Sequence, residues 1–123
     1  MKPPKFDYFA PDSIESALAL LTEHGEDARY LGGGQSLVPM MNLRVAAPSS
    51  LIDLNGIAAL RGIRIDEEDR LHIGAMTRTR QIELDATIAR ANPLLHEAAP
   101  LPRTALTRDQ AALAVEASAH VGV

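Results

Sequence analysis

The spacing of apolar residues predicts an amphipathic helix near the amino terminus. Between residues 12 and 25, apolar side chains recur at helical spacing and form one face. Asp12 is the candidate N-cap, Glu15 stands at the capping-box position, and Gly25 occupies the place of a C-terminal stop. We therefore expect one amphipathic helix here.

Short apolar segments predict the β-strands. The segment 6–9 is predicted to be a short edge strand that ends before Pro11. The segments 28–31 and 50–54 are richer in apolar residues and are predicted to be buried strands. A single helical turn is expected over 56–60.

Two further segments alternate between apolar and polar residues. They are 62–66 and 70–74, and the acidic run Glu67-Glu68-Asp69 separates them. This arrangement is typical of a β-hairpin with one buried face. A hairpin turn also explains the acidic run without any catalytic role.

Cap signals place the remaining helices. Residues 37–43 are predicted to form a short helix or an irregular turn, with Pro39 tolerated only in its first turn. Thr77 is a candidate cap for a helix that carries Ile82 and Leu84. Asn92-Pro93 supplies the cap and first residue of another. Together these elements predict an α/β domain with a small sheet.

Three consecutive glycines, Gly32-Gly33-Gly34, follow the second predicted strand. Glycine adopts positive φ without steric cost, and successive exposed N–H groups form a concave site for anionic oxygens. The run is neither G-x-G-x-x-G nor a P-loop, because further glycines and a closing Lys-Ser/Thr pair are missing. An anion here would depend on backbone N–H groups, the Ser36 hydroxyl and the Gln35 amide, which favours a buried pyrophosphate. A tight turn without a ligand is the alternative.

Composition and charge argue against several function classes. Aromatic residues make up 3% of the 123 residues and the formal net charge is −4, a combination that disfavours nucleic-acid binding. The absence of cysteine excludes disulfides, iron–sulfur ligands and thiol catalysis on this chain. The sequence shows no membrane-span candidate and no signal-like start, so a cytoplasmic location is expected.

No side chain stands out as a catalytic group or a metal ligand. The four histidines lack metal-ligand spacing, and His72 is expected to face solvent. Asp53 lies in an apolar strand and needs a partner, either a backbone cap or an arginine such as Arg61. Ser36 lacks a nucleophile-elbow pattern, which argues against hydrolase chemistry. We therefore predict no catalytic residue and no metal site.

Four segments carry a family resemblance. They are Pro4-Lys5-Phe6-Asp7-Tyr8, LGGGQSLVPMMNLR (31–44), LIDLNGIAALRGI (51–63) and LHIGAMTRT (71–79). In this order, over residues 3–99, they resemble the flavin-binding subunit of molybdopterin-dependent dehydrogenases. That family includes the medium subunit of aerobic carbon monoxide dehydrogenase and the flavin subunit or domain of xanthine dehydrogenases.

The resemblance implies a fold and a cofactor. The fold would be the N-terminal subdomain of a vanillyl-alcohol-oxidase-type (PCMH-like) FAD-binding fold, with a small mixed sheet and flanking helices, and not a Rossmann fold. The cofactor would be FAD, and Ile73-Gly74-Ala75-x-Thr77 would lie near the same cleft. The residues matching the family's pyrophosphate loop are Gly32, Gly33, Gly34, Gln35, Ser36 and Leu37, with Gly32 replacing a more usual alanine.

The resemblance also implies partners. Electrons would pass from a molybdopterin-binding subunit through an iron–sulfur subunit to FAD, and then to an external acceptor. The chain would be the FAD-binding subunit, or a truncated N-terminal piece of it, of a molybdenum hydroxylase-type oxidoreductase, and would not act alone. Two alternatives stay open: a non-catalytic domain that binds no flavin and only docks to partner subunits, and a phosphate- or nucleotide-binding module that uses the glycines alone.

The last part of the chain departs from the family. The helix that begins at 95–99 is interrupted by Pro100-Leu101-Pro102-Arg103, and its family ending is echoed again at 116–122, after a helix predicted from Thr107. We expect residues 1–99 to form the flavin-binding subdomain and residues 100–123 a divergent helical tail. An insertion followed by truncation is favoured over foreign sequence. In both cases the family's second flavin-binding segment is absent.

Overall fold

The computed structural model describes residues 2–100. The chain divides into two compact units, Met1–Ala59 and Leu60–Val123. Within the described residues, no helix is long and apolar enough to cross a membrane. The predicted helix from Thr107 lies outside the described residues.

The first unit contains a three-stranded parallel sheet and two helices. The strand order is β1–β3–β2, so the last of the three strands in sequence is the central one. The three strands that the apolar segments predicted are all present. The elements are β1 Asp7–Phe9, α1 Ile14–His24, β2 Ala28–Leu31, α2 Leu37–Asn42 and β3 Ser50–Asp53.

The central strand β3 lies at the heart of the first unit. It pairs on both edges, with Leu51 opposite Tyr8 of β1 and Ile52 opposite Tyr30 of β2. Ile52 is fully buried, and Leu51 is nearly so. Helix α1 packs against β2 and β3. A parallel strand in this position has little contact with water, which explains its nearly continuous run of apolar residues.

The helix α1 begins one residue later than the capping pattern predicted. Ser13, not Asp12, is the N-cap: its backbone is extended, and its Oγ accepts a hydrogen bond from the Ser16 N–H at 3.2 Å. The Ser13 carbonyl also accepts the first helical bond, from Ala17 at 3.1 Å. The predicted stop at Gly25 is confirmed, because Gly25 has φ of 68° and its N–H bonds to the Leu21 carbonyl.

Two short 3-10 turns follow β3 where a single helical turn was expected. They are Leu54–Gly56 and Ala58–Leu60. Helix α2 confirms the prediction for residues 37–43, since Pro39 lies in its first turn, where a missing N–H costs no helical hydrogen bond.

The described part of the second unit, up to residue 100, contains an antiparallel hairpin and three short helices. Ile63 pairs with Ile73 and Ile65 with Leu71, which confirms the predicted hairpin. The two strand directions thus occur in separate sheets, a parallel one and an antiparallel one, and not in a single mixed sheet. The elements are β4 Ile63–Ile65, β5 Leu71–Ile73, α3 Thr79–Leu84, α4 Ala86–Ala91 and α5 Pro93–Ala98.

The core of the second unit is aliphatic. One buried cluster in it consists of Ile82, Ile88 and Ala99. The hairpin and α5 pack partly buried side chains against them, namely Ile63, Leu71, Ile73 and Leu95. Three of the four apolar positions of the hairpin therefore face this cluster, as the alternation predicted, whereas the fourth, Ile65, is exposed.

The helix starts of the second unit differ in part from the predicted ones. Thr77 does not cap α3; its hydroxyl instead bonds to the N–H and the carbonyl of Gly62, both at 3.1 Å. Asp85 introduces an additional break, because its carboxylate accepts hydrogen bonds from the first N–H groups of α4. The predicted Asn92 cap is confirmed by a bond from the Leu95 N–H at 3.0 Å.

Candidate functional site

The predicted pyrophosphate loop lies at the carboxyl edge of the parallel sheet. Strand β2 ends at Leu31 and runs directly into residues 32–36, which we call the glycine loop, before α2 begins. Strand β3 ends beside it, since Leu31 is in register with Asp53. In open α/β sheets, ligands bind outside the carboxyl ends of parallel strands. All six predicted residues, including Leu37 as the first residue of α2, are contiguous at this edge.

Gly34 sets the course of the glycine loop. Its φ is 75°, a conformation that side-chain-bearing residues rarely adopt. A Cβ built on it would lie 3.2 Å from Val38 Cγ2 and 3.4 Å from Leu31 Cδ1. The Gly34 carbonyl accepts a hydrogen bond from the Val38 N–H at 3.0 Å and so starts the turn into α2. Glycine is therefore favoured at this position by the positive φ, and a Cβ would in addition have to displace the Val38 side chain slightly.

The glycine loop keeps several backbone donors available. Within residues 2–100, the N–H groups of Gly33, Gly34 and Gln35 donate no hydrogen bond to another protein group. Gly33 is exposed, whereas Gly34 and Gln35 are half-buried. Successive N–H donors in a turn are the feature that binds phosphate oxygens in backbone nests. The donor set therefore fits a diphosphate.

The carbonyl oxygen of Gly32 is held by the side chain of Asn55. Asn55 Nδ2 donates a hydrogen bond to the Gly32 oxygen at 2.9 Å. The Asn55 side chain is itself oriented by Asp53, whose Oδ1 accepts from Asn55 Nδ2 at 2.6 Å and from the Asn55 N–H at 2.8 Å. Asp53 is thus paired with a backbone N–H, which is one of the two kinds of partner that the sequence indicated.

Tyr8 completes this hydrogen-bonded chain. Its hydroxyl donates to Asp53 Oδ2 at 2.5 Å and so connects β1 with the end of β3. The hydrogen bond to Asp53 raises the pKa of Tyr8, with smaller effects of burial and of the carboxylate charge in the same direction. Tyr8 therefore remains a donor at neutral pH. These hydrogen bonds connect Tyr8 to Gly32 through Asp53 and Asn55.

Arg29, the nearest basic residue upstream of the glycine loop, makes its hydrogen bonds outside that loop. The Arg29 guanidinium donates to the carbonyl oxygens of Glu26, in the turn that precedes β2, and of Ala28, the first residue of β2. These acceptors lie at the start of β2 and not in the glycine loop. Backbone donors are accordingly the principal feature of the loop that could attract an anion.

The hairpin holds a second polar cluster, with a structural role. Asp66 accepts hydrogen bonds from the Arg70 N–H at 2.9 Å, Arg70 Nε at 2.8 Å and His72 Nε2 at 2.7 Å. The bond with His72 chiefly lowers the pKa of Asp66; burial opposes this, and the bonds and charge of Arg70 reinforce it. Asp69 takes φ of 61° in the turn. Among the described residues, no group of three or more potential ligands could hold a metal ion.

The segment Ile73-Gly74-Ala75-x-Thr77 is explained by packing inside the second unit. The Gly74 N–H donates to the Gly62 carbonyl at 2.8 Å. A Cβ on Gly74 would lie only 2.4 Å from the Leu60 oxygen, so no other residue fits there. Thr77 bonds to Gly62 as described above. The expected role of this segment beside a cofactor stays a prediction.

Sequence reasoning missed Asn55 and the role of Tyr8. Asn55 stands two residues after Asp53 in Asp-x-Asn-Gly, at the end of a strand parallel to the one that enters the glycine loop. An Asp side chain at the end of a strand can accept a hydrogen bond from the backbone N–H two residues later, which forms an Asx-turn. Together with the parallel register, that signal could have placed Asn55 beside the glycine loop.

Comparisons with known proteins identify the family of this chain. The chain matches the family described as the FAD binding domain in molybdopterin dehydrogenase over residues 4–119. It is 50% identical over 101 residues to the carbon monoxide dehydrogenase medium chain of Hydrogenophaga pseudoflava, covering 82% of this chain and 35% of that one. It is 46% identical over 99 residues to the 6-hydroxypseudooxynicotine dehydrogenase complex subunit alpha of Paenarthrobacter nicotinovorans, covering 80% and 33%.

Solved structures give the same relationship. The carbon monoxide dehydrogenase of Hydrogenophaga pseudoflava that lacks the Mo-pyranopterin moiety of its cofactor superposes with a TM-score of 0.82 at 47% identity, covering 89% of this chain and 38% of that one. Quinoline 2-oxidoreductase from Pseudomonas putida 86 superposes with a TM-score of 0.75 at 35% identity, covering 80% and 34%. The chain spans about a third of the length of the relatives it matches.

Proposed function

Since this chain belongs to the family of FAD-binding domains of molybdopterin dehydrogenases, we propose that it is the FAD-binding subunit, or the N-terminal piece of one, of a molybdenum hydroxylase-type oxidoreductase. FAD is the cofactor of this family. The fold agrees with the expected one, a small α/β architecture similar to the carbon monoxide dehydrogenase structure. In this proposal, residues 1–99 form the flavin-binding part.

One observation carries the assignment of the binding residues. The N–H groups of Gly33, Gly34 and Gln35 are free of protein acceptors within the described residues and follow one another in a single turn. We assign the FAD diphosphate to this turn, with Gly32, the Ser36 hydroxyl and Leu37 completing the loop. Donors fixed by the backbone bind an anion without the entropy loss of ordering a lysine or an arginine.

The protein's contribution is to bind and orient the cofactor. When bound, FAD supplies the redox chemistry that would pass electrons from iron–sulfur centres to an external acceptor. No side chain of the glycine loop is a strong acid, base or nucleophile, which suits a cofactor-carrying role. Iron–sulfur and molybdopterin-binding subunits are the proposed partners, supported by relatives named as a medium chain and as a subunit of a dehydrogenase complex.

A titration with three ligands tests the proposal. The purified protein is stripped of any endogenous flavin and titrated with FAD, FMN and ATP, and flavin fluorescence and competition are recorded. We expect saturable binding of FAD in preference to FMN, because only FAD carries the diphosphate. Tight ATP binding with FAD ignored would indicate a nucleotide module. No binding of any of them, together with capture by iron–sulfur or molybdopterin subunits, would indicate a docking domain without flavin.

A further inference from the structure

The side chain of Asn55, in the 3-10 turn after β3, is fixed by hydrogen bonds to the glycine loop and to Asp53. Its Nδ2 lies 2.9 Å from the Gly32 oxygen and 2.6 Å from Asp53 Oδ1. Asn55 is half-buried and lies 23 residues from Gly32 in sequence, so the contact depends on the fold and not on a local turn. A single amide group thus connects the end of β3 with the first peptide of the loop.

The geometry of the peptide bond gives this contact a consequence for ligand binding. In a planar trans peptide, the carbonyl and the following N–H point in opposite directions. The oxygen of Gly32 points toward Asn55, so the N–H of Gly33 points away from Asn55. If this peptide were flipped, the carbonyl oxygen would replace the N–H donor and would repel an anion.

Nothing in the glycines themselves selects this orientation. A peptide between two glycines flips easily, because neither residue has a side chain that restricts φ and ψ. The selection has to come from a partner that recognises the oxygen of Gly32, and the Asn55 amide is that partner. Tyr8 and Asp53 hold the amide, with the Tyr8 hydroxyl 2.5 Å from Asp53 Oδ2.

We propose that Asn55 is a positioning residue for diphosphate binding, which holds the Gly32–Gly33 peptide so that the Gly33 N–H faces the cofactor. The inference rests on the proposed function and adds a residue outside the glycine loop to the binding machinery. Asn55 acts without touching the ligand. Its effect passes through the orientation of one peptide, and Tyr8 and Asp53 act one step further back.

The Asn55→Asp variant tests this assignment through its response to pH. An ionised carboxylate cannot donate to the Gly32 oxygen and repels both that oxygen and Asp53. A protonated carboxylic acid can donate, so acidification restores the missing bond. We expect the neighbouring Asp53 carboxylate to raise the pKa of the introduced acid, because a like charge disfavours its ionised form.

The expected result is a loss that acid reverses. At about pH 8, FAD affinity of Asn55→Asp should fall at least about tenfold, the loss of one charge-assisted hydrogen bond to the ligand. Toward about pH 5 it should approach the wild-type value. Asn55→Ala should lose affinity at every pH, and Tyr8→Phe should lose less. The wild type should show no comparable change.

Asn92→Asp is the matched control. Asn92 uses its Oδ1 as an acceptor, from the Leu95 N–H, so Asp at this position keeps the contact. The control should bind FAD as the wild type does. If the wild type binds FAD and both Asn55 variants bind it equally well at all pH values, the proposed function stands and the role of Asn55 is overturned. If the wild type does not bind FAD, the proposed function fails, and this inference with it.

Discussion

Replacing Gly34 with alanine tests whether this glycine is needed only for folding stability or also for FAD binding. Gly34 has φ of 75°, and a Cβ there would lie 3.2 Å from Val38 Cγ2. The methyl group would therefore point toward α2 and Leu31 rather than toward a ligand. Any effect of Gly34→Ala on binding has to act through the backbone conformation of the loop.

The magnitudes follow from the backbone and the donors. A residue with a Cβ in this region costs of order 1–3 kcal/mol of folding free energy. The loop can relieve this cost by moving to negative φ, which redirects the N–H groups of Gly33 and Gln35. Loss of one N–H bond to the charged diphosphate costs about 1.5–3 kcal/mol, which corresponds to a weakening of FAD binding by about 10- to 150-fold.

Gly25→Ala provides the matched comparison. Gly25 has φ of 68°, close to that of Gly34, but a Cβ there meets nothing within 4 Å. It caps α1 and lies outside the glycine loop. We expect a similar loss of stability, seen as a fall in melting temperature of about 4–8 °C for each kcal/mol, with unchanged FAD affinity.

The assay pairs a thermal melt with a fluorescence titration of FAD for each variant. If the glycine loop binds the diphosphate, both variants lose stability and only Gly34→Ala loses affinity. If the two variants bind FAD equally well at comparable melting temperatures, Gly34 is only a turn residue. The diphosphate would then have to be bound elsewhere.

Three further changes test other parts of the account. Gly33→Val places a branched side chain beside the exposed N–H groups and should abolish FAD binding with an unchanged far-UV circular dichroism spectrum; retained binding would contradict the assignment of the glycine loop. The pKa of Asp66 is lowered in the folded state, so its ionised form stabilises the fold above the unfolded-chain pKa of about 4, and this stability is lost as the pH falls toward the folded pKa. Asp66→Asn should therefore flatten the acid-side fall in melting temperature below about pH 5, and parallel curves for the two proteins would refute this. Ile88 is fully buried in the core of the second unit, and Ile88→Ala should lower the free energy of unfolding in urea by about 2–5 kcal/mol; a loss well below that range would show that the core tolerates the cavity.

The elements that the sequence predicted well are those determined by neighbours along the chain. The apolar run at 50–54 predicted a buried strand because a central parallel strand has few positions that contact water. The hairpin was predictable for a similar reason, since alternation and an acidic turn are both local signals. The three glycines predicted a turn, and Gly34 adopts a positive φ, which glycine favours in such turns.

The helix caps show where local signals are ambiguous. Asp12 and Ser13 are both good N-caps, and the capping-box spacing to Glu15 favoured the wrong one. Thr77 was predicted as a cap but is used for a contact with Gly62, fifteen residues away. A polar side chain with a tertiary partner cannot be distinguished from a cap by its position alone.

The residues that orient the glycine loop could not be predicted from local sequence patterns. The contact of Asn55 with Gly32 spans 23 residues, and that of Tyr8 with Asp53 spans 45. Both require the order β1–β3–β2, which the segment patterns do not specify. The family resemblance indicated the loop itself, because that information resides in contiguous residues, but it did not indicate what orients the loop.

The most direct measurement is a two-dimensional nitrogen–proton NMR titration of the labelled protein with FAD. The account predicts that the backbone amides of Gly33, Gly34 and Gln35 show the largest shifts, to lower field, as the diphosphate accepts their hydrogen bonds. The amide of Gly25, outside the loop, should stay in place. Saturable FAD binding with these three amides unshifted would contradict the central claim that bare backbone donors of the glycine loop hold the cofactor.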